Sequence, residues 1–269
     1  MLNKSILLLV VLTLSSLALG QRTQEEAAAA PKAAVAPSTT ACSFTFSSGS
    51  GRTFTQYCVT ANGNITEFQN PAGVEYIAVL QVGEGYGICD FASNTSYFDY
   101  GYTDSGNWGS TTLVSSSPTQ VKFNRLTSDG IWQLTQTITQ GKATAATPGS
   151  AVVTMALRNL TGIDRTVWLL RFADVDANSN TKNDFDNTLD VASGLQPGFS
   201  YGLMLSSNTF SFSRDAYVTN TFNGPTPCSA FANLVNPGPF VGDGAIQQLY
   251  AITVPHGATK AVTMTYKPI

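Results

Sequence analysis

The feature that most restricts the fold is an alternation with a period of two. Ala151, Val153, Met155 and Leu157 interleave with Val152, Thr154, Ala156 and Arg158. Successive side chains of a strand point to opposite faces, so such a stretch separates into two faces, one of them apolar enough to bury. The same period sets Trp132, Leu134 and Ile138 against Gln133, Thr135, Thr137 and Thr139, and Val262, Met264 and Tyr266 against Thr263 and Thr265. β-Branched and aromatic residues fill these runs, while Gly, Asn, Pro and Ser punctuate them. About fifteen such runs can be traced along the chain. Only CSAFANLVNP reads as helix, with Cys228, Phe231 and Leu234 on one face and a stop at Asn236 and Pro237. A chain of this kind buries its sheets against one another, so the expected fold is all-β, a large antiparallel β-sandwich of two packed sheets with little helix. A propeller would need a repeat of ~40–50 residues, and none is seen.

The first twenty residues carry Lys4, an apolar run from Ile6 to Leu14, and the small-x-small triplet Ala18-Leu19-Gly20. That pattern is a secretory signal peptide, and the apolar run is shorter than the ~20 residues that span a bilayer. Residues 21–41, rich in Ala, Pro and Thr without a hydrophobic period, form a flexible linker. Residues 42–269 remain as a single sandwich domain. The expected location is secreted, extracellular or periplasmic, with no transmembrane segment in the mature chain. Charged residues make up 12% of the chain, and Ser and Thr, 58 of 269 residues, supply much of its polar surface. A net charge of −3 and a pI near 5.1 exclude nucleic acid as a partner, because no basic stripe is available to neutralise phosphates.

Four cysteines in an exported chain suggest two disulfides. In CSFTFSSGSGRTFTQYC, the centre Gly49-Ser50-Gly51 is flanked by alternating apolar residues, which is a hairpin signal. Folding about Ser50 places Phe46 opposite Phe54 and Cys42 opposite Cys58, within reach of a bridge. Cys89 and Cys228 are then left to close a long loop. There is no C-x-x-C and only one His, which argues against zinc.

Three stretches hold candidate chemistry. In FADVDANSNTKNDFD, Trp168, Leu170, Phe172, Asp174 and Asp176 share one parity, so the carboxylates prolong an apolar strand face. With Asn178, Asn180, Asp184 and Asp186 they offer the oxygen ligands that Ca²⁺ takes six to eight at a time. Ser179 and Phe185 stand where an EF-hand has Gly and Glu, so the loop is of another type. Asx-rich turns show the same spacing, and the sequence alone leans toward a solvated turn. In SYFDYGYTDSGNWGS, Tyr97, Tyr100, Tyr102 and Trp108 are candidate sugar-contacting rings, each joining an apolar body to a polar tip. Aromatic residues are also common strand core. Finally, Gly198-Phe199-Ser200-Tyr201-Gly202 matches the nucleophile elbow G-x-S-x-G, with Asp215 or Asp243 and then His256 following. The elbow needs a helix after the serine, and Leu203–Arg214 alternates like a strand instead.

The stretches VVTMALRNLTGIDRTVWLLRF and AITVPHGATKAVTMTY each hold two strands joined by a short polar turn. They resemble the sandwich modules of secreted bacterial proteins, a likeness of fold class alone. The function expected from the sequence is a non-catalytic extracellular binding or surface module. Its ligand would be carbohydrate or a cell-surface polymer, and a Ca²⁺ would stabilise the Asp/Asn loop. The alternative is a secreted carbohydrate-active enzyme, glycoside-processing or mutarotase-like, using Asp or Glu carboxylates. A serine esterase through Ser200 comes third. Oligomeric state is not legible from the sequence.

Overall fold

The computed structural model describes residues 41–269 except 79–81, 221–225 and 233–237, and omits the side chains of 230–232. The expected signal peptide, all but the last residue of the expected linker, and the expected helix stop at Asn236 and Pro237 lie outside the described residues. The chain runs through β1 (Cys42–Ser48), β2 (Thr55–Thr60), β3 (Ile65–Gln69), β4 (Glu84–Asp90) and β5 (Thr95–Asp99). It continues through β6 (Thr112–Ser117), β7 (Gln120–Leu126), β8 (Trp132–Gly141), β9 (Ser150–Asn159) and β10 (Arg165–Asp174). Next come β11 (Asn183–Asn187), β12 (Val191–Leu195), β13 (Gly202–Ser207) and β14 (Ser213–Thr219). The one α-helix among the described residues, α1 (Pro227–Ala232), precedes β15 (Phe240–Gly242), β16 (Ala245–Val254) and β17 (Thr259–Pro268).

The expected all-β architecture is present, with seventeen described strands, all paired antiparallel. There are three sheets rather than two: nine strands in the order β15-β11-β12-β13-β17-β9-β8-β7-β6, five in the order β14-β16-β10-β4-β5, and three in the order β1-β2-β3. The third arises because β1–β3 pair only with one another, while Phe44 still meets Phe123 of the nine-stranded sheet edge-on at 5.7 Å. β9 and β10, like β16 and β17, are joined by short turns but lie in opposite sheets, so each turn is a corner of the sandwich.

The alternation read from the sequence sets the burial. Trp132, Leu134, Ile138, Val153, Met155, Leu157, Val262, Met264 and Tyr266 are all fully buried in one apolar cluster between the sheets. Opposite it, Thr154 and Thr263 pair directly across strands, with hydroxyl oxygens 2.9 Å apart. Side-chain contacts of this kind contribute about 0.2–1 kcal/mol each.

The interior also carries charge. Arg171 and Glu84 are both fully buried. The guanidinium donates to both Glu84 oxygens, to Gln136 Oε1 at 2.6 Å and to the Gly63 carbonyl at 3.0 Å. Tyr266 donates its hydroxyl to the same carboxylate at 2.9 Å, which ties β17 to β4 and β10 across the core. A second network joins Arg125 to Asp99 at 2.5 Å and Asp104 at 3.1 Å.

Both expected disulfides are present, Cys42–Cys58 and Cys89–Cys228. The hairpin register differs from the symmetric one: Phe46 pairs with Tyr57, and Thr45, not Cys42, lies opposite Cys58. The one-turn 3-10 segment Gly51–Thr53 takes up residues that a tight turn would have left in the ladder. A bulge between Cys42 and Phe44 then brings the two Cα atoms to 5.4 Å. The second bridge holds α1 on the outer face of the five-stranded sheet. A Cβ at Gly87 would come within 2.5 Å of Pro227, so that glycine in GEGYG serves close packing.

Candidate functional site

β10 carries Trp168, Leu170, Phe172 and Asp174 on its outward face, as their shared parity requires. Leu170 and Phe172 are buried in a second apolar cluster with Val82, Tyr100, Ala245 and Leu249. At the end of that strand the face turns acidic. Asp174, Asp176 and Asp243 each place a carboxylate oxygen within 4.8 Å of the other two. Asp243 comes from the Gly242–Gly244 link between β15 and β16, which lies beside β10 because the Val175 amide donates to the Gly244 carbonyl at 3.1 Å.

Asp174 is 2% exposed. Neither of its oxygens has a hydrogen-bond partner among the described residues, and the same is true of Asp176 Oδ1 and Asn183 Oδ1. The Asn183 amide nitrogen is engaged with the Val175 carbonyl at 3.0 Å and the Asn180 carbonyl at 2.6 Å. Burial, followed by the charges of Asp176 and Asp243, pushes the Asp174 carboxyl up to about 7. Burial also raises Asp176 and Asp243. Two carboxylates at this spacing repel by on the order of 3 kcal/mol at the effective dielectric of a protein surface.

Asn180 and Asp186 of the loop are engaged locally. Asn178 and Ser179 adopt left-handed backbone at φ 59° and 58°. Asn180 Oδ1 accepts from the Lys182 amide at 3.0 Å. β11 begins at Asn183, so Asn183 and Phe185 face inward, and Asp184 and Asp186 take the opposite, solvent-facing parity. Asp186 Oδ1 accepts from the Asn187 amide. The structure therefore gathers Asp174 and Asp176 of the sequence-read set with Asp243, which that reading placed only as a triad member. The Gly-Asp-Gly turn between two strands was the available signal.

The four aromatic candidates are mostly core. Tyr97 and Tyr100 are 1% and 0% exposed, and Trp108 is 7% exposed. Tyr97 donates to Asp129 at 2.5 Å, and Trp108 packs edge-on against both Tyr86 and Tyr97. Tyr102 is half-buried beside Gly83. Both faces of β5 are covered, one by the main core and the other by the cluster under Tyr100, so these rings present no common exposed platform.

The serine motif forms the β12–β13 turn. Ser200 adjoins the end of β17, since Leu203 pairs with Pro268, whereas His256 lies in the turn before β17 begins. A ten-residue strand separates their ends by roughly 30 Å, so no triad forms. The same turn does line a cleft. Gly198, Phe199, Ser200 and Tyr201, with Arg52, Asn70, Pro71, Pro148 and Ile269, enclose about 970 Å³ open to solvent. The Phe199 and Tyr201 rings lie nearly parallel, with centroids 6.0 Å apart, and Phe199 is 56% exposed. A smaller groove of about 340 Å³ runs over the outer face of the five-stranded sheet, lined by Ser213, Arg214, Asp215, Tyr217, Leu249 and Ala251.

No protein family and no curated protein matches the sequence. Solved structures do match the fold. A bacterial glucoamylase complexed with acarbose superposes with a TM-score of 0.59 at 8% identity over 85% of this chain, which spans only 32% of the glucoamylase. A candidate aldose 1-epimerase from Escherichia coli K12 gives 0.53 at 9% identity, covering 84% of this chain and 99% of that one. A protein from Synechocystis sp. PCC 6803 gives 0.50 at 8% identity, covering 84% and 95%. The class these likenesses define is a fold, the large antiparallel sandwich shared with these proteins. Among the described residues no helix is long and apolar enough to cross a membrane.

Proposed function

We propose that this protein is an exported, non-catalytic β-sandwich that binds carbohydrate in the cleft at Phe199 and Tyr201. The observation that carries the reading is the cleft itself. Near-parallel rings with prolines and Ile269 suit the apolar face of a sugar, and Arg52 and Ser200 suit its hydroxyls. Two fold neighbours bear sugar-related names, a glucoamylase solved with acarbose and a candidate aldose 1-epimerase, which supports this ligand class. Two disulfides support export. The test is a glycan array together with cell-wall pull-downs. The expected result is micromolar binding lost in Phe199→Ala, and an empty array and pull-down would end the carbohydrate reading.

The enzyme reading draws on the smaller groove, where Asp215 and Tyr217 interact through their side chains. Sugar turnover or anomer interconversion abolished by Asp215→Asn, with the fold intact, would replace the binding module by a carbohydrate-active enzyme.

A further inference from the structure

The acidic cluster at the end of β10 differs from a solvated turn in one respect. Its central carboxylate is buried, and both of that carboxylate's oxygens lack a donor among the described residues. Buried carboxylates are ordinarily hydrogen-bonded or paired with a cation. Elsewhere in this molecule they are: Glu84, Asp90 and Asp99 are each fully buried, and each meets an arginine. Asp174 instead faces two further carboxylates within 4.8 Å. No described Lys or Arg forms an ion pair with any of the three; the five ion pairs present all involve other acids.

Everything left over is therefore an acceptor. Asp174 contributes two oxygens and Asp176 Oδ1 a third. An all-oxygen set rich in carboxylate is the donor chemistry of a hard divalent cation, and the absence of nitrogen or sulfur from it disfavours zinc and copper.

We propose that Asp174, Asp176 and Asp243 bind one Ca²⁺. The ion would join two separate stretches of chain: the end of β10 with the turn after it, and the β15–β16 link. Asp184 and Asp186 have no part in it. The site lies apart from the Phe199–Tyr201 cleft in sequence and lining, so its failure and the failure of the carbohydrate reading are separately observable.

The experiment is calorimetric titration of CaCl₂ into the EDTA-treated mature protein, with thermal melts in parallel. One ion should bind per chain, with an affinity in the 10⁻⁴–10⁻³ M range of extracellular modules or tighter, and should raise the melting temperature. Asp243→Asn, at a half-buried position, should weaken binding by at least about tenfold, because ligand charge count sets the affinity. Asp186→Asn should leave it unaltered. Three results would overturn the proposal. Ca²⁺ at several millimolar could produce neither heat nor stabilisation. Binding could be lost in Asp186→Asn but kept in Asp243→Asn. Asp174→Asn could melt as the unaltered protein does in saturating Ca²⁺ and still bind it.

Discussion

Replacing Arg171 by Met tests whether the buried polar core holds the two sheets together. The guanidinium is fully buried and makes four hydrogen bonds, two to Glu84 and one each to Gln136 and the Gly63 carbonyl. Without it the Glu84 carboxylate keeps only the Ile65 amide at 2.6 Å and the Tyr266 hydroxyl at 2.9 Å, while Gln136 Oε1 and the Gly63 carbonyl lose a partner. Removing one partner of a buried ion pair costs about 3–5 kcal/mol, and the two stranded acceptors place this site in the upper part of that range. Urea denaturation at pH 7, with the slope unchanged, should show a loss of about 4 kcal/mol.

The double variant Arg171→Met with Glu84→Gln removes the stranded charge and should recover at least about half of the loss. The pH dependence gives an independent check. In the unaltered protein, burial pushes the Glu84 carboxyl up, and the Arg171 guanidinium holds it down in part. Taking the guanidinium away raises the folded-state value further above the unfolded one. A carboxyl raised in this way costs stability at pH above its folded value, and the cost fades as pH falls toward the unfolded value of about 4.3. The deficit of Arg171→Met should therefore be smaller at pH 5 than at pH 7. A loss below about 1 kcal/mol, or a double variant no better than the sum of the singles, would refute the argument.

Removing the Cys89–Cys228 bridge, which spans 139 residues, should cost about 5 kcal/mol in the chain-entropy model, against about 3 kcal/mol for Cys42–Cys58 across 16; denaturation of the two Cys-to-Ala pairs would show the opposite ranking if loop length does not govern. Burial alone would raise Asp129, but hydrogen bonds from Tyr97 and Thr127 hold it below the usual carboxylate range, so it adds stability that is lost as pH falls through that depressed value. Tyr97→Phe should therefore destabilise by about 1 kcal/mol at pH 7 and narrow the gap to the unaltered protein in acid melts below pH ~4. A gap that widens in acid would contradict this sign. Phe199→Ala, at an exposed ring, should change stability by no more than about 0.5 kcal/mol while abolishing sugar binding, which separates a ligand role from a packing one.

The strand faces were legible because a two-residue period directly encodes which side chains enter the core, and Trp132 through Ile138 or Val262 through Tyr266 had no other consistent arrangement. The cysteine partners were legible too, but the hairpin register was not. A Gly-Ser-Gly centre does not reveal that the next three residues coil into a 3-10 turn. Parity put Asp174 and Asp176 on one face, yet their companion Asp243 comes from a strand link far along the chain, placed there only by the pairing of β10 with β16. Asp184 and Asp186, close to them in sequence, sit on a strand whose inward positions are Asn183 and Phe185. Tyr97 of β5 is buried because Trp108, from a loop further along the chain, packs edge-on against it in the main core, and a local pattern cannot show such a cover.

The position of β17 bears on how the molecule must be made. It sits between β13 and β9, so the nine-stranded sheet exists as two unconnected halves until this strand, the last in chain order, is inserted. Synthesis from the amino terminus can complete β6 to β9, and later β11 to β13, but each half leaves an open edge awaiting the same ten residues. The wider sheet thus closes only after residues 259–268 have been made. If the chain is exported as proposed, with its bridges formed beyond a membrane channel, that delay costs it nothing.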